Sequence, residues 1–291
     1  MKRHEKPDSS KTESAGSQPP PEVKQSEREE AQIQERTAIS AHVVYEAILA
    51  EGRSELQRST SALAFSGLAA GLSVGFSFVT QGLLQFHLPK AQWTPLVAKL
   101  GYAMGFLIVI LGRQQLFTEN TLTPILPLLK EKKLSTLYNV LRLWVTIFLA
   151  NWLGTMVFAW VLAHSGIIEE NARPTFLEIG REAMRHDFAT VVVKSIFAGW
   201  LIALLIWLLP FAEAGRVAVI ILMTYVIALG SFSHVIAGSV DTFYLVAIHE
   251  KAWGEYLMGF MLPTLLGNII GGVALVAALG HAQVTAGEDA E

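Results

Sequence analysis

A lone imidazole, His234, sits in the polar run SFSH at 231–234, between the apolar stretches VAVIILMTYVIALG and VIAGSVDTFYLVAIH. Imidazole titrates near pH 6.5, so it is the side chain best suited to give or take a proton near neutrality. A second interruption, RQQLFTEN at 113–120, brings the Thr118 hydroxyl, the Glu119 carboxyl, the Arg113 guanidinium and the Asn120 amide into an equally apolar neighbourhood. Ionisable groups in such segments are costly unless they face protein or a water-filled cavity, which makes them candidates for function. The chemistry they offer is hydrogen bonding and proton exchange with a small polar solute. Covalent and metal chemistry are poorly served. The chain has no cysteine, which removes a thiol nucleophile, a thiolate metal site and a disulfide framework together. There is no His-Glu-x-x-His pattern or paired carboxylate for a metal. Ser233 adjoins His234 directly, which is poor geometry for a nucleophile and its base, so an intramembrane serine protease is set aside. The expectation is a protein that is not an enzyme and has no metal or cofactor, and no folded basic patch points to nucleic acid.

The segments that carry these residues are unusually long. As one helix, 217–249 would extend about 50 Å, against a hydrocarbon core of roughly 30 Å, so it must be broken; 96–129 raises the same problem. Four further stretches, 61–84, 143–168, 195–212 and 256–286, contain no Asp, Glu, Lys or Arg and read as plain spans. With 52% hydrophobic and 16% charged residues, the composition belongs to a polytopic membrane protein. The interrupted spans are second and fifth of six, corresponding members of two three-span halves. The halves match in their letters. LANWLGT at 149–155 resembles LGNIIGG at 266–272, with Asn151 and Asn268 lying 117 positions apart and Gly112 and Gly230, before the two breaks, 118 apart. An odd number of spans per repeat inverts the second half, so the fold class is an all-α membrane protein of six transmembrane helices in two inverted three-helix repeats, with broken second and fifth helices. Asn120, Asn151 and Asn268 are expected to anchor loops whose carbonyls have lost helical partners. Gly71, Gly75, Gly105, Gly271 and Gly272 read as close-packing positions.

The remaining chain divides into a disordered tail at 1–36, an amphipathic helix at 37–60, the membrane domain at 61–283 and a short tail at 284–291. From its charge and the want of an export signal, the N-terminal tail is expected in the cytoplasm, and with six spans the C-terminus too. Lys194 is expected to snorkel, Asp241 to lie near a membrane edge or against a partner, and His249 and His281 to be interfacial.

At Leu116, Phe117, Thr118 and Asn120 in the first break, and at Ser233 and His234 in the second, the chain resembles the formate/nitrite transporter family, with flanks similar to its YfdC-like inner-membrane branch. The resemblance covers about 38–283. It implies an aquaporin-like fold, a homopentamer with one pore per protomer, and location in a bacterial inner membrane. It also implies that Thr118 faces His234 across the pore centre, that Leu116, Phe117, Tyr102 and Phe106 form constrictions, and that Arg142 stands where many members carry an anion-attracting Lys. Gln114, Gln115, Glu119, Arg113, Ser233 and Gly238 depart from the family's pattern.

A bare anion pays heavily to enter an apolar constriction. His234, aided by Thr118, is therefore expected to hydrogen-bond an entering monovalent anion and give it a proton, so that a neutral acid crosses, while Arg142 and Arg113 supply attraction. A desolvated His234 that stays neutral would act as a hydrogen-bond partner only. The partners expected are thus a small anion, protons and lipid. A pore for small neutral solutes is the nearest alternative and a non-conducting membrane scaffold the more distant one. Glu119 is expected to pair with Arg113 or Arg142.

Overall fold

The computed structural model describes residues 41–212 and 214–288, and among them it contains helices and connecting segments with no β-strand. The helices are α1 (Ala41–Gln57), α2 (Thr60–His87), α3 (Thr94–Ala98), α4 (Ala103–Leu111), α5 (Ile125–Glu131), α6 (Leu134–His164), α7 (Arg173–Ala183), α8 (Phe188–Leu208), α9 (Arg216–Leu229), α10 (Ala237–Ala247), α11 (Trp253–Tyr256), α12 (Leu262–Ile269) and α13 (Leu279–Glu288). A tight turn at Lys99–Tyr102 joins α3 to α4. The proposed tail at 1–36 lies outside the described residues. The helix expected at 37–60 is described over Ala41–Gln57, and α13 runs to Glu288, past the boundary read at 283.

Five helical stretches are long and apolar enough to cross a membrane: Thr60–His87, Thr94–Leu111, Leu134–His164, Phe188–Phe211 and Trp253–Gln283. The fifth span read from the sequence is not one of them. Its apolar run is divided between α9, 14 residues long, and α10, 11 residues long.

Local sequence explains where these helices stop. At the end of α4 the chain turns left-handed at Arg113 (φ 49°), and the Gln114 N–H reaches back to the Val109 carbonyl at 2.9 Å. At the end of α9 the same turn occurs at Ser231 (φ 46°), with the Phe232 N–H on the Ile227 carbonyl at 3.0 Å. This five-residue back-bond closes a helix C-terminus and uses up carbonyls that would otherwise be orphaned. Left-handed backbone at a residue other than glycine costs about 1–3 kcal/mol and persists only where the surroundings impose it. It recurs 118 positions apart in this chain.

The helices pack in two matching arrangements, α2 along α6 and α8 along α12. Glycine makes both approaches possible. A Cβ on Gly71 would run into the Asn151 carbonyl, and one on Gly199 into the Asn268 carbonyl, both well inside van der Waals contact. Large apolar side chains remain exposed along the long helices, among them Phe65, Leu134, Trp160 and Leu222. An outward apolar surface of that extent suits lipid as solvent.

Candidate functional site

Two asparagines hold the irregular segments. Asn151, fully buried on α6, accepts the Phe117 N–H on Oδ1 at 2.8 Å and donates from Nδ2 to the Gly67 and Gln115 carbonyls at 2.7 and 2.9 Å. Asn268, fully buried on α12, accepts the Val235 N–H at 2.8 Å and donates to the Ser195 and Ser233 carbonyls at 2.8 and 3.0 Å. Each amide thus satisfies one N–H and one carbonyl of its own irregular segment and a carbonyl of a neighbouring helix. Without it those backbone groups would be buried and unpaired. Asn120 acts more locally, donating to Leu116 O at 2.9 Å and Gln115 Oε1 at 3.1 Å, while its own carbonyl receives the Trp144 indole N–H at 2.8 Å.

The two segments meet at one contact. Thr118 Oγ1 and His234 Nε2 are 2.6 Å apart, with both residues buried. The Ala237 N–H donates to His234 Nδ1 at 3.1 Å. A ring nitrogen that accepts carries no proton, so the network assigns the neutral imidazole with its proton on Nε2, donating to Thr118. The Thr118 hydroxyl proton is then available to a third group. An imidazolium would turn a second N–H toward the Ala237 N–H, so charging this ring requires the turn at 234–237 to move.

Aromatic rings surround the imidazole on one side. Phe106 meets His234 edge to face at 5.0 Å, and Tyr102 lies 5.2 Å from Phe106. Leu116 and Phe117 are buried, but Phe117 packs against Trp144 and Phe148 of α6 at 5.9 and 5.2 Å.

Two cavities that share no lining residue lie in this region, and one of them is lined by His234. The smaller, about 70 Å³, takes in His234 together with Gln81, Tyr102, Ser233, Gly238 and Asp241. The larger, about 560 Å³, takes in Glu119 and Asn120, next to Thr118, with Glu51, Glu55, Arg58, Arg113 and Arg216. Burial pushes the Glu55 carboxyl above its ordinary value, and the neighbouring Arg58 charge only partly opposes this. At the smaller cavity, burial and then the Lys194 and Arg185 charges hold His186 below the ordinary imidazole value. Among the described residues no group of three His, Cys, Asp or Glu gathers in a way that would hold a metal.

Several expectations need correction. Glu119 forms no ion pair with Arg113 or Arg142; its Oε1 is buried without a hydrogen-bond partner. Arg142 lines neither cavity. Its guanidinium donates to the Leu56 and Arg58 carbonyls at 2.9 and 3.0 Å and to Thr60 Oγ1 at 3.1 Å, so it fastens the joint between α1 and α2, whereas Arg113 does face the larger cavity. Lys194 does not snorkel but donates to the Gly230 and Ser231 carbonyls, both at 3.1 Å, because the end of α9 needs donors. Asp241 lines the same cavity as His234. His281, expected to be interfacial, makes a contact that the sequence did not show, with Nδ1 2.7 Å from the Tyr45 phenol oxygen. Sequence reasoning passed over Asp241 even though a carboxylate inside an apolar span was itself the available signal.

Comparison with known proteins bears on this arrangement. The family model described as formate/nitrite transporter matches residues 42–282. The chain belongs to the formate/nitrite transporter family. It is therefore a multi-pass membrane protein of a transporter family. It is 41% identical over 251 residues to the inner membrane protein YfdC of Escherichia coli strain K12, covering 86% of this chain and 81% of that one. It is 24% identical over 242 residues to the formate channel BtFdhC of Bacillus thuringiensis, covering 80% and 91%. Among solved structures, a pentameric formate channel with formate bound superposes with a TM-score of 0.64 at 19% identity, covering 76% of this chain and 95% of that one. A family ion channel superposes at 0.74 and 17% identity, covering 84% and 99%. These two likenesses concern the fold.

Proposed function

We propose that this protein is a channel or transporter for small monovalent weak-acid anions of the formate and nitrite kind, which cross as neutral acids at a central site formed by His234 and Thr118. The observation that carries the reading is the buried 2.6 Å hydrogen bond between Thr118 and His234, made where two irregular segments meet, with a cavity lined by His234 and a larger one reaching Glu119 and Asn120 beside Thr118 in the chain. An anion arriving at the pair finds the Thr118 hydroxyl proton free, because the imidazole already supplies Thr118 with a donor. Neutralisation follows when the ring, recharged after releasing the Ala237 N–H, gives its Nε2 proton to the anion. The O–H bond forms on the permeant, the ring returns to neutrality, and solvent in the cavity replaces the proton. Tyr102, Phe106, Leu116 and Phe117 supply apolar constrictions that admit the neutral acid more readily than its anion. Arg113 attracts the anion within the larger cavity.

The architecture proposed for this task is six spans in two inverted repeats with an aquaporin-like course, the fifth span being α9 and α10 with 230–236 between them. It is supported by the matched hydrogen bonds of Asn151 and Asn268 and by the paired left-handed turns at Arg113 and Ser231. A homopentamer in a bacterial inner membrane, with both termini cytoplasmic, completes the proposal. The pentameric state of the superposed formate channel supports the first part, and the inner-membrane name of the E. coli relative supports the second.

Uptake into proteoliposomes tests the reading. Formate or nitrite influx should be accompanied by proton uptake and rise as pH falls, while glycerol should not enter. Glycerol flux without anion flux would favour the neutral-solute alternative instead.

A further inference from the structure

The second irregular segment is held by more than its asparagine. Val235, the residue after His234, has its N–H on Asn268 Oδ1 at 2.8 Å, and its carbonyl is taken by the Ser239 hydroxyl at 2.5 Å. The Ser239 N–H goes to the Ile236 carbonyl at 3.1 Å, so the side chain and backbone of Ser239 hold successive carbonyls of the turn. Behind Ser239 stands Tyr256, whose phenol oxygen is 2.9 Å from Ser239 Oγ and receives the indole N–H of Trp152 at 2.8 Å. Val235, Ser239 and Tyr256 are all buried.

The ends of this chain of bonds fix its polarity. An indole nitrogen only donates and a carbonyl only accepts. The Ser239 proton is therefore spent on Val235, the Tyr256 oxygen accepts from Trp152, and the Tyr256 proton points at Ser239 Oγ. The far end is Trp152, which follows Asn151 on α6. Consecutive residues of one helix thus hold both irregular segments, Asn151 the first through the Phe117 N–H and Trp152 the second through Tyr256 and Ser239.

The internal repeat sets these bonds apart from the shared scaffold. At the offset of 117 that relates Asn151 to Asn268, Trp152 corresponds to Ile269, whose side chain has no donor. At the offset of 118, Ser239 corresponds to Thr121, whose hydroxyl goes to the Thr118 carbonyl at 2.8 Å. The link to α6 through a phenol belongs to the half that carries His234. Fixing both polar groups of Val235 also confines movement. The proposed proton transfer requires the Ala237 N–H to leave His234 Nδ1, and with Val235 held at its N–H and its carbonyl the hinge falls beyond it, so His234 keeps facing Thr118 while the turn opens.

We infer that Tyr256 and Ser239 are positioning residues for His234: together with Trp152 they tie the Val235 carbonyl to α6, so that the imidazole Nε2–H keeps its place on Thr118 during transport. The inference rests on the function proposed above and adds to it the residues that hold its central pair in register. Neither Tyr256 nor Ser239 lines either cavity, so both act through His234.

The test combines formate flux through the full-length protein in proteoliposomes with nitrogen NMR of histidine-labelled protein in detergent at pH 7, the His234 signals being those that His234→Phe removes. Wild type should show His234 as the single Nε2–H tautomer, and Ser239→Ala and Tyr256→Phe should each add the Nδ1–H tautomer. Formate flux should fall about fivefold in Ser239→Ala, the factor set by one hydrogen bond of ordinary net strength, and by less in Tyr256→Phe. Placed in the His234→Phe background, neither substitution should lower flux further, because the group they position is gone; a support of the fold alone would lower flux by the same factor with and without the imidazole. The two substitutions cut the chain at different bonds, so either folded variant decides the question. An unchanged His234 nitrogen spectrum in a folded variant, or an equal loss of flux in the His234→Phe background, overturns the positioning role while leaving the proposed function standing. Wild type that carries neither formate nor nitrite overturns both.

Discussion

Removal of the Asn151 amide is the perturbation whose cost can be worked most directly from the structure. Asn151→Ala deletes three hydrogen bonds of 2.7 to 2.9 Å and leaves the Phe117 N–H buried without an acceptor. A typical intramolecular hydrogen bond contributes about 1 kcal/mol net, and stranding a buried polar group costs about 1–3 kcal/mol. The Gly67 carbonyl lies inside α2 and keeps a helical partner, so its loss is the smallest. The total is about 3–5 kcal/mol, a large part of a net stability of about 5–15 kcal/mol. Asn151→Asp should be at least as damaging, because an oxygen would replace the NH2 that faces two carbonyl oxygens. Since Asn268 makes the same three kinds of bond, Asn268→Ala should cost the same within about 1 kcal/mol. The assay is unfolding in mixed micelles of mild detergent and dodecyl sulfate, followed by tryptophan fluorescence, for which the chain supplies 7 Trp. A loss below about 1 kcal/mol for Asn151→Ala, or a large loss at only one of the two positions, would refute the matched-anchor argument.

Two other outcomes follow from the packing and burial of named side chains. Gly71→Ala and Gly199→Ala each push a methyl into a backbone carbonyl that cannot swing away, so each should destabilise by at least about 1–3 kcal/mol, the usual cost of overpacking, in the same micelle titration. Burial raises the folded pKa of Glu55 above the ordinary carboxyl value of 4.5, so its cost is fully present above the folded pKa and is relieved as pH falls through that value toward 4.5. Glu55→Gln should therefore be more stable than wild type at pH 7, with the gap closing on acidification; a gap that stays constant or widens would show that the buried carboxylate is not the cause.

How far the sequence could be read depended on what each signal measures. His234 and Thr118 were legible because polar groups inside apolar runs are costly wherever they sit, and the offsets of 117 and 118 between Asn and Gly pairs were visible as letters. The left-handed turns were not legible, because neither Arg113 nor Ser231 is a residue that prefers that backbone; the preceding helix and the anchored segment impose it. Arg142 and Lys194 were misjudged for a common reason. Composition shows where a charge falls in a span but not which carbonyls are left bare nearby, and both side chains are consumed by bare carbonyls. Asp241 lies seven positions beyond His234, across the start of α10 at Ala237, so no single periodicity relates the two, and only the fold brings both to one cavity.

The central claim is that a weak acid crosses at the His234–Thr118 pair with its proton. The most direct measurement is simultaneous formate influx and proton uptake in proteoliposomes, for wild type, His234→Phe and Thr118→Val, across pH 5 to 8. The account predicts one proton taken up per formate by wild type, flux reduced by about tenfold or more in His234→Phe, as for loss of a positioned proton-transfer group, and a smaller reduction in Thr118→Val. Undiminished, proton-coupled flux through His234→Phe would contradict it.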